Sequence, residues 1–124
     1  IDLVLLKVEP PFENVKDLEF NKNPKVGDFL VSMASPFGLE QSLLYGNISA
    51  IDTKGKDTAF PFYAFIQVQN LAYPGVSGAG VYDWNGRIIG INRSAHGFSA
   101  GTGIGFVIPW VLIEQFLELY KQKK

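Results

Sequence analysis

Residues 65–92 read FIQVQNLAYPGVSGAGVYDWNGRIIGIN. Branched and aromatic residues fill FIQVQ (65–69), GAGVYD (78–83) and RIIGINRS (87–94), and turn-forming residues separate them. Such short apolar runs, interrupted by Gly, Pro, Asn or Asp, are the pattern of antiparallel strands. Asn85–Gly86, between the second and third runs, accepts positive φ at both central positions of a two-residue turn, so a tight hairpin is expected there. The same punctuation continues outward. VGDFLVSMA (26–34) and YGNISAI (45–51) precede the quoted stretch, and GIGFVIP (103–109) follows it. Six short strands in series predict an all-β barrel or sandwich.

Both ends differ from this middle. Residues 1–8, IDLVLLKV, are mostly branched and apolar, which predicts a strand buried on both faces. Residues 9–25 carry prolines, charges and Asn and read as a surface connection. From Pro109, PWVLIEQFLELYKQKK places Ile113, Phe116, Leu117 and Tyr120 at helical spacing. A proline in the first turn and lysines at the end suit a terminal helix over 109–122 that lays an apolar stripe on the β layer.

Composition narrows the function classes. Hydrophobic residues make up 47% of the 124, enough for a packed core. Eleven Lys/Arg oppose twelve Asp/Glu, so no basic excess points to a nucleic-acid surface. No apolar run reaches the roughly 18 residues of a membrane span. The N-terminus opens inside a strand-like run rather than on a basic flank, so no signal peptide is expected. Cysteine is absent and His96 is the one histidine, which removes disulfides, thiolate zinc sites and multi-histidine metal sites within this chain. No cofactor is expected.

The residues that suggest chemistry lie at 74–80, PGVSGAG. A serine hydroxyl becomes a nucleophile only when a base takes its proton and donors stabilise the oxyanion. Glycines beside Ser77 permit a tight turn that aims amides at one point, and the N–H groups of Gly75 and Ser77 are suitably spaced. On this heptad alone a Gly-rich turn between strands is the simpler reading. A nucleophile elbow would need Gly two residues after the serine, where Ala79 stands. GTGIG at 101–105 lacks the third glycine of a dinucleotide fingerprint and has no lysine for a phosphate loop.

Six segments, in order, resemble the trypsin-like serine proteases of the HtrA/Deg family. They are DLVLLK (2–7), VGDFLV (26–31), SPFGLEQ (35–41), PGVSGAG (74–80), IIGIN (88–92) and GIGFVIP (103–109). The family's counterparts are an Asp-Leu-Ala-Leu-Leu-Lys strand, a Val-Gly-Asp strand leading to Asn-Pro-Phe-Gly, a Gly-Asn-Ser-Gly-Gly-Pro nucleophile segment, and Gly-Ile-Asn and Gly-Ile-Gly-Phe-Ala-Ile-Pro strands. The resemblance implies the C-terminal, six-stranded antiparallel barrel of the two-barrel trypsin-like fold, with one C-terminal helix. Residues 1–8 would end the first barrel, 9–25 connect, 26–108 form the second barrel and 109–122 the helix.

It also implies roles. Ser77 is the nucleophile and Asp2 the aspartate that orients the triad histidine, although alone Asp2 reads as a solvated strand end. Gly75 and Ser77 supply the oxyanion hole. Asn92–Arg93–Ser94 resembles the edge that pairs with substrate backbone, and Leu71, Ala72 and Ile91 to Arg93 draw the primary pocket. No carboxylate falls among these, so a small or medium apolar substrate side chain is expected over Arg or Lys. Peptides or unfolded proteins are the implied substrates, a missing N-terminal barrel and a homo-oligomer the implied partners, and an extracytoplasmic or organellar setting the family habit.

The pattern also departs from the family. The triad histidine belongs ahead of the Asp-Leu strand, before Ile1, so the chain alone is expected to be inactive. His96 follows the serine in RSAHGFSAGTG and reads as a solvated loop residue, since a base must come within about 3 Å of the hydroxyl or act through one water. Val76, Ala79 and Gly80 replace the family's Asn, Gly and Pro. Val76 is β-branched and resists the turn that aims the Gly75 amide inward. These changes favour a second possibility, a non-catalytic module that binds peptides by strand addition. Loss of the first barrel would bare an apolar face and promote association.

Overall fold

A computed structural model describes residues 2–17, 19–54, 60, 62–93 and 103–122. The six expected strands form: β1 (Phe29–Ala34), β2 (Ser42–Thr53), β3 (Phe65–Ala72), β4 (Gly80–Asp83), β5 (Ile88–Arg93) and β6 (Gly103–Pro109), followed by helix α1 (Trp110–Gln122). All neighbours pair antiparallel in the order β1-β2-β3-β6-β5-β4, and β4 returns to β1 to close a barrel. Closure removes the free strand edges that an open sheet would present.

The alternation of side chains explains why these sequences close. In β1, Leu30, Ser32 and Ala34 point inward and are buried, whereas Phe29 and Met33 are exposed. Leu30, Ile48, Ile66, Val68, Leu71, Val81, Ile89 and Val107 fill the interior. Strand β6 breaks the alternation because both its faces are covered. Val107 joins that interior, while Phe106 and Ile108 join a second cluster with Phe65 and Ile113 of α1. The unbroken apolar run GIGFVIP is the sequence trace of a doubly covered strand. On α1, Leu112, Ile113 and Leu117 meet this cluster; Tyr120, expected in the stripe, is exposed.

The hairpin at Asn85–Gly86 is wider than expected. Positive φ falls at Gly86 (+81°) and not at Asn85. The Asp83 amide donates to the Arg87 carbonyl at 2.9 Å, and the Gly86 amide to the Asp83 carbonyl at 3.1 Å. A register shift follows between Val81 and Tyr82. The cause is the buried Asp83 carboxylate, whose Oδ1 accepts from the amides of both Asn85 and Arg87 at 2.9 Å. That side chain builds a longer loop in place of the two-residue turn.

Residues 2–8 form none of these strands, contrary to expectation. Val4, Leu6 and their neighbours are exposed, and only Leu3 packs on the second cluster. A strand needs a ladder partner for its amides, and this segment meets none among the described residues. Further along, residues 19–21 are tied down. Phe20 bridges Ile88 in parallel, the Ile88 amide donates to the Glu19 carbonyl (2.8 Å), and the Asn21 amide donates to the Ile88 carbonyl (2.9 Å). Lys22 then reaches α1, lying over the Trp110 ring and 3.4 Å from Glu114.

Candidate active site

Ser77 lies in the turn that joins β3 to β4, and its side chain is exposed. The turn is pinned on both sides of it. The Val76 amide donates to the Tyr73 carbonyl (3.2 Å) and the Ala79 amide to the Val76 carbonyl (3.1 Å). The Gly78 amide donates to the Asn92 carbonyl (2.7 Å), and the Asn92 amide to the Ala79 carbonyl (2.8 Å). Val76, whose β-branching argued against the turn, is 1% exposed. Its side chain enters the core as a plug and leaves the next residue facing solvent. Burying a valine side chain contributes about 1.5–3 kcal/mol, enough to anchor a short loop.

A second turn braces the first. Pro36–Gly38 form a single 3₁₀ turn after β1, with positive φ at Phe37 and Gly38. The Phe37 amide donates to the Pro74 carbonyl at 2.6 Å, and the Phe37 and Tyr73 rings approach to 5.9 Å. Gly75 has φ +94°, and a Cβ there would collide with the Ser35 carbonyl oxygen. Only glycine meets both demands. In a trans peptide the C=O and N–H point in opposite directions. With the Pro74 carbonyl held by Phe37, the Gly75 N–H therefore faces away from that turn. Among the described residues neither the Gly75 nor the Ser77 amide donates a hydrogen bond. SPFGLEQ thus acts as the strut that sets this peptide, a role its sequence alone did not reveal.

The expected pocket residues divide between different surroundings. Leu71 and Ala72 are buried at the end of β3, and the Leu71 side chain belongs to the barrel interior. Ile91 packs instead on the helix-side cluster. Asn92 is buried; its Nδ2 donates to the Leu71 carbonyl at 2.6 Å, while its Oδ1 has no partner. Its amide and carbonyl are already taken by Ala79 and Gly78, so Asn92 offers no backbone group to a substrate strand. Ser94 and His96 lie outside the described residues. Two hollows, about 530 Å³ along α1 and about 340 Å³ beside Lys22–Pro24, are both lined without Ser77. Among the described residues no group of three or more His, Cys, Asp and Glu side chains could hold a metal.

Asp2 and Arg93 meet. Arg93 Nη1 lies 2.5 Å from Asp2 Oδ2, joining residues 91 apart in the chain. The Arg93 side chain is only 5% exposed and its guanidinium lies 4.7 Å from the Phe60 ring centre; Asp2 is 68% exposed. The sequence placed Arg93 on a substrate-facing edge. It gave no signal for this pair, because nothing local relates positions 2 and 93.

Comparison with known proteins agrees with this geometry. Residues 1–91 match the family described as the trypsin-like peptidase domain. The "Probable periplasmic serine endoprotease DegP-like" of Brucella suis is 35% identical over 121 residues, covering 94% of this chain and 23% of its own. The mouse serine protease HTRA4 is 32% identical over 127 residues, covering the whole chain and 26% of its own. Among solved structures, the HtrA-type protease AlgW S227A with a decapeptide superposes with a TM-score of 0.75 at 28% identity, over 91% of this chain and 35% of that one. The chain therefore spans about a quarter of the length of these curated relatives. A sealed antiparallel barrel, a serine raised on its β3–β4 turn, and a match over most of the length together place this chain in the trypsin-like peptidase family, on its HtrA/Deg branch.

Proposed function

We propose that this chain is the nucleophile-bearing part of an HtrA/Deg-like serine endopeptidase. Residues 1–8 belong with a first barrel, 9–25 connect, 26–108 make the second barrel and 109–122 the closing helix. The observation that carries the proposal is the exposed Ser77 beside two amides with no hydrogen bond, on a turn whose Gly75 is fixed by the Ser35–Phe37 strut. In the reaction, a histidine supplied from ahead of Asp2 takes the Ser77 proton as the hydroxyl attacks a peptide carbonyl. Asp2 steadies the imidazolium, and the Gly75 and Ser77 amides hold the oxyanion.

Peptide substrates accord with the tripeptide and decapeptide named with the AlgW structures. An extracytoplasmic setting accords with the relatives named periplasmic in Brucella and Haemophilus. The residues the resemblance implies for substrate binding, Leu71, Ala72, Ile91, Asn92, Arg93 and Ser94, include no carboxylate, which favours an apolar substrate side chain over a basic one.

A fluorophosphonate probe tests the proposal on the protein that carries this chain. Labelling at Ser77 is expected, with complete loss in Ser77→Ala and unchanged folding. Gly75→Ala, whose Cβ would press on the Ser35 carbonyl oxygen, should displace the Gly75 peptide and slow labelling at least about a hundredfold, since one oxyanion donor is worth about 10²–10³ in rate. Folded protein that never reacts at Ser77 would end the hydrolase proposal. One observation favours the non-catalytic alternative, the Asp2 carboxylate already engaged by Arg93, but the closed barrel offers no free edge among the described residues for peptide capture by strand addition.

A further inference from the structure

An arginine that is 5% exposed and paired with a carboxylate near the surface is an expensive arrangement. Moving a guanidinium out of water is strongly unfavourable unless its charge is met. Among the partners of Arg93 are the Asp2 carboxylate at 2.5 Å and the face of the Phe60 ring at 4.7 Å. Arg93 stands next to Asn92, whose backbone is bonded to both Gly78 and Ala79. An unbroken series of contacts thus runs from Asp2 through Arg93 and Asn92 to the loop that bears Ser77. At the other end, Asp2 opens a segment with little else to hold it. From residue 2 to residue 17 no named strand or helix forms, and only Leu3 packs on a core cluster.

We infer that Arg93 is a positioning residue: it clasps the Asp2 carboxylate through Oδ2, fixes the N-terminal segment to the wall that carries Ser77, and leaves only Oδ1 to support a general base. The inference rests on the hydrolase proposal for its catalytic half and stands apart from it for the structural half. A carboxylate presents two oxygens and about four acceptor sites. With one oxygen held by a guanidinium, the other has a defined direction, which favours orienting an imidazole. The same guanidinium offsets the negative charge that stabilises the imidazolium. Arg93 therefore trades strength of the base for precision of its placement. Lysine would keep the charge but not the rigid planar fork.

Two measurements separate the halves, each made on wild type, Asp2→Asn, Arg93→Met, Arg93→Lys and the Asp2→Asn/Arg93→Met double variant. The first is the rate of tryptic nicking after Lys7 and Lys16. Asp2→Asn and Arg93→Met should each raise it about fivefold or more, and the double variant should go no further than either. Asp2→Asn alters an exposed side chain, so it reports even if Arg93→Met fails to fold. Nicking that is unchanged in Asp2→Asn, or effects that multiply in the double variant, would overturn the clasp.

The second measurement is the pH profile of fluorophosphonate labelling at Ser77. Removing the guanidinium leaves Asp2 its full charge, so the imidazolium is held more firmly. In Arg93→Met the acid limb should move about one pH unit upward and the plateau should fall about tenfold. Arg93→Lys should keep the limb and lose the plateau. An Arg93→Met profile that scales down without moving its limb reduces Arg93 to a structural residue and overturns the positioning role. If no form labels at any pH, the hydrolase proposal fails and the positioning role with it, while nicking still decides the clasp.

Discussion

The barrel and the segment ahead of it are both rich in apolar residues, yet they end in opposite states. Between Phe29 and Pro109 nearly every inward side chain is sealed, with Leu30, Ile48, Val68, Ile89 and Val107 fully buried. Between Val4 and Val15, by contrast, Val4, Leu6, Phe12 and Val15 are each more than 70% exposed. The difference lies in partners. Each barrel strand finds ladder neighbours on both sides within this chain. Among the described residues, the segment from 2 to 17 meets the barrel through the Asp2–Arg93 ion pair and one packed leucine. Hydrophobicity states that a segment wants burial; it does not state against what.

If that contrast is real, substitutions on the two sides should differ sharply in cost. Phe106→Ala, at a fully buried position shared by β6 and the helix-side cluster, should destabilise by about 3–5 kcal/mol in denaturant unfolding. A loss below about 1 kcal/mol would mean that cluster is loosely packed. Asp83→Ala removes an acceptor used by Asn85, Arg87 and the Asn21 side chain, and should cost about 2 kcal/mol. It should also loosen the 84–87 loop in amide exchange, and protection that stays intact there would contradict the role given to that carboxylate. Leu6→Gln, on an exposed side chain, should leave barrel stability within about 0.5 kcal/mol. The same change should lower self-association in light scattering, because contiguous exposed apolar surface drives it. A clear stability loss in Leu6→Gln would show that the leading segment packs after all.

Where local pattern sufficed, the sequence was informative. All six barrel strands and the helix were legible, since alternation and turn residues act within a few positions. GIGFVIP is legible as a strand, and its unbroken apolar run suits two covered faces, but which element covers the second face depends on where α1 docks. IDLVLLKV has the composition of a strand, yet residues 2–8 form none, because composition does not supply the ladder partner a strand needs. At the site, the resemblance singles out Ser77 and Gly75, whereas the heptad PGVSGAG alone reads as a Gly-rich turn. The plugging of Val76, the Phe37–Pro74 brace and the Asp2–Arg93 clasp could not be read from either. The brace and the clasp join positions tens of residues apart, and no periodicity encodes such meetings.

Ring closure has a kinetic side. The last pairing of the barrel joins Leu30 to Asp83 and Ser32 to Val81, across some fifty residues that include all of β2 and β3. A chain pays the entropy of closing such a long loop before the contact rewards it. Topologies dominated by distant pairings fold in milliseconds to seconds rather than microseconds. Before that pairing forms, β1 and β4 each have one unpaired edge, and an unpaired strand edge is a template for pairing with another copy of the chain.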